Sequence, residues 1–259
     1  MGIINCTADS FYPESRALDR AAALGLAESM VEAGADILDI GGESTRPGSD
    51  SIDAREEARR VVPVIEEMRG RCNLPIAIDT RKAFVAEQAL NAGADIINDI
   101  SALRDDKRMS DLAASRGCAV VLMHMRGTPK TMQQSPYYDD AVTEVAEELR
   151  QFVDSALSAG IEGNRIIVDP GIGFGKRLCD NLNLLKRIDD FHKLGYPVLV
   201  GLSRKSFIEK LLNLKVEERL AASLAAEAYV VLKGAQILRV HDVAETVQLV
   251  KTLCAIENA

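Results

Sequence analysis

Two stretches of the chain group cations with hydrogen-bonding side chains. Ser203-Arg204-Lys205-Ser206 puts two cations and two hydroxyls together, and Arg239-Val240-His241 spaces a guanidinium and an imidazole two residues apart. At the mouth of a helix the first set would bind an anion, because free backbone N–H groups and the helix dipole add to the side-chain charge. Residues two apart on a strand point the same way, so Arg239 and His241 together suit a phosphate or pyrophosphate. Arg204 and Lys205 could equally be ordinary solvated charges. Asp79, Asn98 and Asp169 suit a different ligand. Carboxylates accept, and a carboxamide both accepts and donates, which matches the edge of a nitrogen heterocycle carrying amino, ring N–H and carbonyl groups. The alternative is a buried polar network, and Asp79, Thr80 or Ser203 could also cap helices.

These residues close short apolar runs. Eight such runs occur: Ile3–Asn5, Ile37–Ile40, Ile76–Asp79, Ile96–Asn98, Val120–His124, Ile166–Asp169, Val198–Ser203 and Ile237–His241. Most are near-continuous in Ile, Val and Leu, as expected of parallel strands buried on both faces. Between them lie helical stripes, at Leu24, Ala27 and Val31, at Val142, Val145, Leu149, Phe152, Val153 and Ala156, and at Leu220, Leu224, Ala228 and Val231. Gly34 and Gly93 stand where helices should end. The unit repeats as AGADILDI from Ala33 and AGADIINDI from Ala92. The pattern predicts one α/β domain over residues 1–259, a (β/α)8 TIM barrel, because a doubly wound sheet would want a Rossmann glycine fingerprint after the first strand. In a barrel the strand C-termini share one rim, so Asn5, Asp79, Asn98, Asp99, His124, Asp169, Ser203, Lys205, Arg239 and His241 should converge.

Asp169-Pro-Gly-Ile-Gly-Phe-Gly-Lys176 is not a Walker A loop, since Pro170 stands at the first glycine position. It reads as a turn that lets backbone pass close to a flat ligand. Gly41-Gly-Glu-Ser-Thr-Arg-Pro-Gly48 reads as a polar, mobile rim loop. Thirty-one Lys and Arg against 39 Asp and Glu give a net charge of −8, which argues against broad nucleic-acid binding but leaves room for a local anion site. No apolar run approaches the ~18–20 residues of a membrane span. Five cysteines without CxxC spacing point to free thiols in a reducing, cytoplasmic compartment, and three histidines form no metal motif.

Taken in order, the motifs resemble the dihydropteroate synthase family. They are Asn5-Cys-Thr-Ala-Asp-Ser-Phe11, Asp39-Ile-Gly-Gly-Glu-Ser-Thr-Arg-Pro-Gly48, Ile78-Asp-Thr80, Ile97-Asn-Asp99, Met123-His-Met-Arg-Gly127, the Asp169–Lys176 run, Gly201-Leu-Ser-Arg-Lys205 and Arg239-Val-His-Asp-Val243. The resemblance implies a pterin-binding TIM barrel that condenses 6-hydroxymethyl-7,8-dihydropterin pyrophosphate with 4-aminobenzoate on the folate pathway, a sulfonamide target. It places Asp79, Asn98, Asp169 and Lys205 on the pterin. Asn5, Thr45, Arg239 and His241 fall on the pyrophosphate, with Asn5 helping to hold Mg²⁺. Phe11, Thr45, Pro47 and Ser206 frame the aminobenzoate. Lys205, Arg239, His241 and Asp79 are the expected catalytic set. Pyrophosphate leaves first and the arylamine attacks the resulting pterin-stabilised cation, which needs charge neutralisation and no Ser–His–Asp nucleophile. A homodimer is expected, with Ala221-Ala-Ser-Leu-Ala-Ala226 either at its interface or against the barrel.

The sequence departs from the family at its start. The family usually carries a short strand or hairpin before the motif that begins at Met1, and its absence is an expectation here; Ala8 stands for a usual Pro, and Pro13 for a frequent Asp. Residues Thr7–Arg16 are read as a mobile lid carrying Phe11, with Glu14 as a substitute for the lost carboxylate. Two rival functions share the fold. A pterin-dependent methyltransferase would not be expected to keep both Ser203–Lys205 and Arg239–His241. A non-catalytic paralogue is opposed by intact Asn5, Lys205, Arg239 and His241.

Overall fold

In the computed structural model, residues 1–6, 13–45 and 48–259 are described. Strands and helices alternate: β1 (Gly2–Asn5), α1 (Pro13–Glu32), β2 (Leu38–Gly41), α2 (Ala54–Arg69), β3 (Ile76–Asp79), α3 (Ala83–Asn91), β4 (Ile96–Asp99), α4 (Met109–Arg116), β5 (Ala119–Met123) and α5 (Ala141–Ser158). Then come β6 (Ile166–Asp169), α6 (Leu178–Lys186), β7 (Leu199–Gly201), α7 (Ser206–Leu212), α8 (Leu220–Leu232), β8 (Ile237–Arg239) and α9 (Val243–Glu257). Strands β1 to β6 form one parallel run and β7 pairs with β8. Parallel bridges at Val168–Val198 and Gly2–Val240 join the two sets, so the eight strands follow one another round a barrel.

Side chains two apart on a strand share a face, and this sets out the interior. A plug of Ala77, Ile96, Val121 and Leu199, with Ile37, Ile167 and Ile237 against it, fills the N-terminal end. Two residues further along each strand, the inward positions become Asp39, Asp79, Asn98, Asp169 and Arg239. The outward positions, such as Ile40, Ile78, Ile97, Val120, Val168 and Val200, are buried under the helices in the main core. Apolar burial on both faces is what the near-continuous Ile and Val runs require.

The helices behave largely as their stripes predict. Helix α5 buries Val142, Val145, Leu149, Val153 and Ala156, and Asp140 caps it by accepting from Val142 N at 3.1 Å. Gly34 and Gly93 take φ of 95° and 108° just past α1 and α3, as helix-terminating glycines should. In α8 the stripe is displaced: Ser223, Glu227 and Val230 are the buried residues, and of Leu220, Leu224, Ala228 and Val231 only Val231 packs against the core. Glu227 can turn in because Thr246 Oγ1 of α9 donates to it at 2.9 Å. The segment read as a lid through Arg16 is helical from Pro13 onward. Proline suits a first helical position because its fixed φ is already helical. Strands β7 and β8 are shorter than their apolar runs, so Ser203 and His241 lie beyond the strand ends. Among the described residues no helix is long and apolar enough to cross a membrane.

Candidate active site

Parallel registration brings the rim residues level. Asn5 pairs with Gly41, Gly41 with Asp79, and Asp79 with Asn98 across β1 to β4. Met123 aligns with Asp169, and Gly201 with Arg239. The centre of the cluster is Arg239. Its Nε donates to Asp39 Oδ2 at 2.6 Å and its second terminal nitrogen to Asp79 Oδ2 at 2.6 Å. Asn98 Nδ2 donates to both oxygens of Asp39 at 3.2–3.3 Å. Burial raises the Asp79 carboxyl well above its ordinary range, partly offset by Arg239 and reinforced by Asp39. Burial also opposes the charge on Arg239, but Asp39 and Asp79 outweigh it and hold the guanidinium protonated.

A second group faces this one. Asp169 Oδ1 accepts from Gly171 N at 2.7 Å, and burial raises its carboxyl against the pull of Lys205. Lys205 Nζ donates to Ile172 O at 2.5 Å and lies 4.8 Å from the Phe174 ring centroid. Burial lowers the Lys205 ammonium to about 8, with Asp169 opposing that fall. Carboxylates from three strands and two cations thus share the C-terminal end of the barrel interior, groups able to accept from and donate to a polar heterocycle.

The predicted anion site is divided. Arg204 does not face the mouth: it takes φ 55°, donates twice to Asp242 at 2.8 Å, and reaches the carbonyls of Val216 and Glu217. His241 does not line up with Arg239 on a strand either. Its Nδ1 sits 3.1 Å from Ser203 Oγ, one step past β8. Ser203 is therefore a partner of His241 and not a helix cap, and the residue preceding α7 is Lys205. Ser206 is exposed at the start of α7. Thr45 is half-buried after β2, and Asn5 is exposed at the end of β1. Phe11 and Pro47 lie outside the described residues.

Three rim assignments change role. Asp99 holds a turn: its oxygens accept from Ser101 N, Ser101 Oγ and Leu103 N at 2.7–3.0 Å, where Ala102 and Leu103 have φ of 53° and 63°. Two glycines of the Asp169–Lys176 run answer to protein backbone, since a Cβ on Gly171 would lie 2.0 Å from His124 O and one on Gly175 2.8 Å from Arg126 O; Gly173 instead lies against the Lys205 side chain, 3.3 Å from its Cδ. His124 is fully buried and turned toward α5 and Lys176. Two residues escape sequence reasoning. Asp39 is the acidic partner of Arg239; it opens one of the motifs above and is a charge inside the apolar run Ile37–Ile40, but neither gave it a role. Lys176 folds inward and is 1% exposed, which nothing in its spacing announces.

Beside the cluster, Glu43 ties the loop after β2 to the loop after β3. It accepts from Arg81 and Lys82, and from Ser51 Oγ and Ile52 N at 2.8–2.9 Å. Lys82 Nζ also donates to Glu57, which accepts from Thr80 Oγ1 at 2.6 Å. Among the described residues no group of three or more His, Cys, Asp or Glu side chains is placed to hold a metal.

Comparison with known proteins agrees with this geometry. The family described as "Pterin binding enzyme" matches residues 1–241. A dihydropteroate synthase of Haemophilus influenzae is 45% identical over 259 residues, covering all of this chain and 94% of that protein. The Yersinia pestis dihydropteroate synthase, solved as a sulfonamide drug complex, superposes with a TM-score of 0.94 at 43% identity, covering 100% of this chain and 94% of that one. The Xanthomonas albilineans enzyme, solved with 4-aminobenzoic acid, gives 0.93 at 43% identity, with 100% and 93% covered. Its complex with 7,8-dihydropteroate gives 0.90 at 41% identity, again with 100% and 93% covered. A barrel whose inward strand ends gather carboxylates, a carboxamide and cations, in a chain this similar throughout, belongs to the dihydropteroate synthases of the pterin-binding enzyme family.

Proposed function

We propose that the chain joins 6-hydroxymethyl-7,8-dihydropterin pyrophosphate to 4-aminobenzoate, giving 7,8-dihydropteroate and pyrophosphate. The observation that carries this reading is the buried set Asp39, Asp79, Asn98 and Asp169, with the partly exposed Lys205 beside Asp169, at one end of the barrel interior. Asp79, Asn98 and Asp169 take the pterin's N–H donors, and Lys205 donates to its carbonyl. The pterin competes with Arg239 for Asp79, so binding the ring frees guanidinium N–H groups for the pyrophosphate. His241, Thr45 and Asn5 surround that leaving group, and Ser206, Thr45, Phe11 and Pro47 frame the aminobenzoate. Lys205, Arg239, His241 and Asp79 act by charge and hydrogen bonding as the C–O bond breaks, and the arylamine nitrogen then attacks the freed carbon.

Mg²⁺ fits this chain only as a shared ligand. Asn5 offers one neutral carboxamide oxygen at the exposed end of β1. That suits an ion that keeps water and takes most of its remaining oxygens from substrate phosphates. Bound there, it would neutralise charge on the leaving pyrophosphate.

The reading extends to assembly and location. A groove between α6, α7 and α8 exposes Leu182, Leu211, Leu212 and Tyr229 above Ala225. Ala222 and Ala226 of the same alanine run also line the groove while packing against the core. A second copy of the chain covers that groove. All five cysteines are free thiols, which suits a reducing cytoplasm. The decisive measurement is pyrophosphate release with both substrates and Mg²⁺. Release that requires both substrates is expected; a folded sample that releases none removes the synthase reading.

A further inference from the structure

Lys176 is buried beside the site, and no step above uses it. Its Nζ meets Gly171 O at 2.9 Å, Phe174 O at 3.0 Å and His124 Nδ1 at 3.0 Å, with His124 O at 3.3 Å. An ammonium has three N–H donors, and these contacts engage all of them. His124 Nδ1 must then accept, which puts the imidazole proton on Nε2, 3.1 Å from Glu148 Oε2. Glu148 is a half-buried residue of α5, fixed from outside by Arg126 Nε at 2.8 Å.

The Gly171–Phe174 turn held by this ammonium carries the pterin groups. Gly171 N donates to Asp169, Ile172 O accepts from Lys205, and the Phe174 ring lies against Lys205. We propose that Lys176 is a positioning residue for the pterin site, its ammonium fixing this turn and kept in the donor state by the His124–Glu148 pair. The inference rests on the pterin reading above.

A neutral Lys176 amine has two N–H groups and one lone pair, so it gives up a turn carbonyl or needs an Nδ1–H on His124. The second option would point a bare Nε2 at the Glu148 carboxylate. Glu148 therefore resists deprotonation of a lysine two hydrogen bonds away. Burial lowers the Lys176 ammonium to about 7, with Asp169 and Glu148 opposing the fall and Lys205 and Arg126 adding to it. Burial, then Lys176, lowers His124 to about 4, so the imidazole is neutral. Tyr138, whose ring lies 6.2 Å from that of His124, is pushed up and stays neutral. Glu144 pairs with Arg126.

The test is calorimetry of 6-hydroxymethylpterin binding between pH 6 and 9 on the wild type, Lys176→Met and Glu148→Gln, with circular dichroism on each. The ligand's own titration is common to all three. Asp79, whose buried carboxyl is raised toward the same range, titrates alike in all three; against that background wild-type affinity falls as pH rises, in a first step as Lys176 loses its proton and a second as Lys205 does. Lys176→Met weakens binding about tenfold at pH 6.5 and lacks the first step. Glu148→Gln, whose amide can donate to His124 Nε2, moves the first step down by about half a pH unit or more. A folded Lys176→Met with wild-type affinity and profile overturns the proposal, and so does an unmoved step in Glu148→Gln. If Lys176→Met does not fold, Glu148→Gln decides. A wild type that binds no pterin instead removes the site reading itself.

Discussion

Arg239 and Asp79 sit opposed across the barrel floor, a guanidinium nitrogen 2.6 Å from a carboxylate oxygen, although one is assigned to the leaving group and the other to the pterin. The two groups satisfy each other. This alters what substitution of Arg239 should do. Arg239→Ala leaves Asp39 and Asp79 buried without their cation and should lower folding stability by about 3 kcal/mol, measured by urea denaturation. His241→Ala, which gives up a bond to the Ser203 hydroxyl and an attraction to Asp242 at the rim, should cost less than Arg239→Ala, about 1 kcal/mol, yet slow turnover. If both variants lose stability equally, the division between them is wrong.

Asp169→Asn should weaken pterin binding by about ten- to a hundredfold, because a buried ligand donor loses a charged acceptor. Calorimetry on a folded variant checks it. An unchanged affinity would take Asp169 out of the pocket and leave it only as the partner of Gly171 N.

Glu43 gives an acid-side test. Burial opposes its ionisation, but hydrogen bonds from Lys82 and Arg81 outweigh that and hold the carboxyl at about 2, below the ordinary 4.5. Between those values the unfolded chain binds more protons than the folded one, so this contribution to stability is present above pH 4.5 and lost as pH falls toward 2. Glu43→Gln should cost about 1 kcal/mol at pH 7, with the gap from wild type closing on acidification. Denaturation curves at pH 7, 5 and 3 that stay parallel would exclude the pairing as its source.

The groove over α7 and α8 predicts assembly. Leu211→Asp, at a side chain 52% exposed, should convert dimers to monomers in sedimentation velocity without unfolding the barrel. A wild type that sediments as a monomer at micromolar concentration would refute the dimer.

Asp79, Asn98 and Asp169 were legible in the sequence because each ends an apolar run, and Arg239 because it stands two residues before His241; strand alternation turns a run's last inward position toward the barrel interior. Asp39 obeys the same alternation but sits mid-run, where a charge reads as an interruption. Arg204 could not be read locally: its direction depends on a φ of 55° and on Asp242, 38 residues away. Lys176 was hidden for a similar reason, since whether a lysine after a glycine turn folds inward depends on the acceptors that His124 and the turn happen to present.

Ala77, Ile96, Ile167 and Ile237 lie one inward step beneath Asp79, Asn98, Asp169 and Arg239. Two residues of strand rise about 6.6 Å, so backbone spacing, not side-chain choice, limits how deep a ring can sink. An inhibitor enlarged on its buried edge grows toward that plug, and relief would require thinning several strands together. Growth toward the rim leads away from the plug, past the strand ends. Medicinal chemistry on this pocket therefore has a hard direction and a soft one, and both are set by the pleat of the strands.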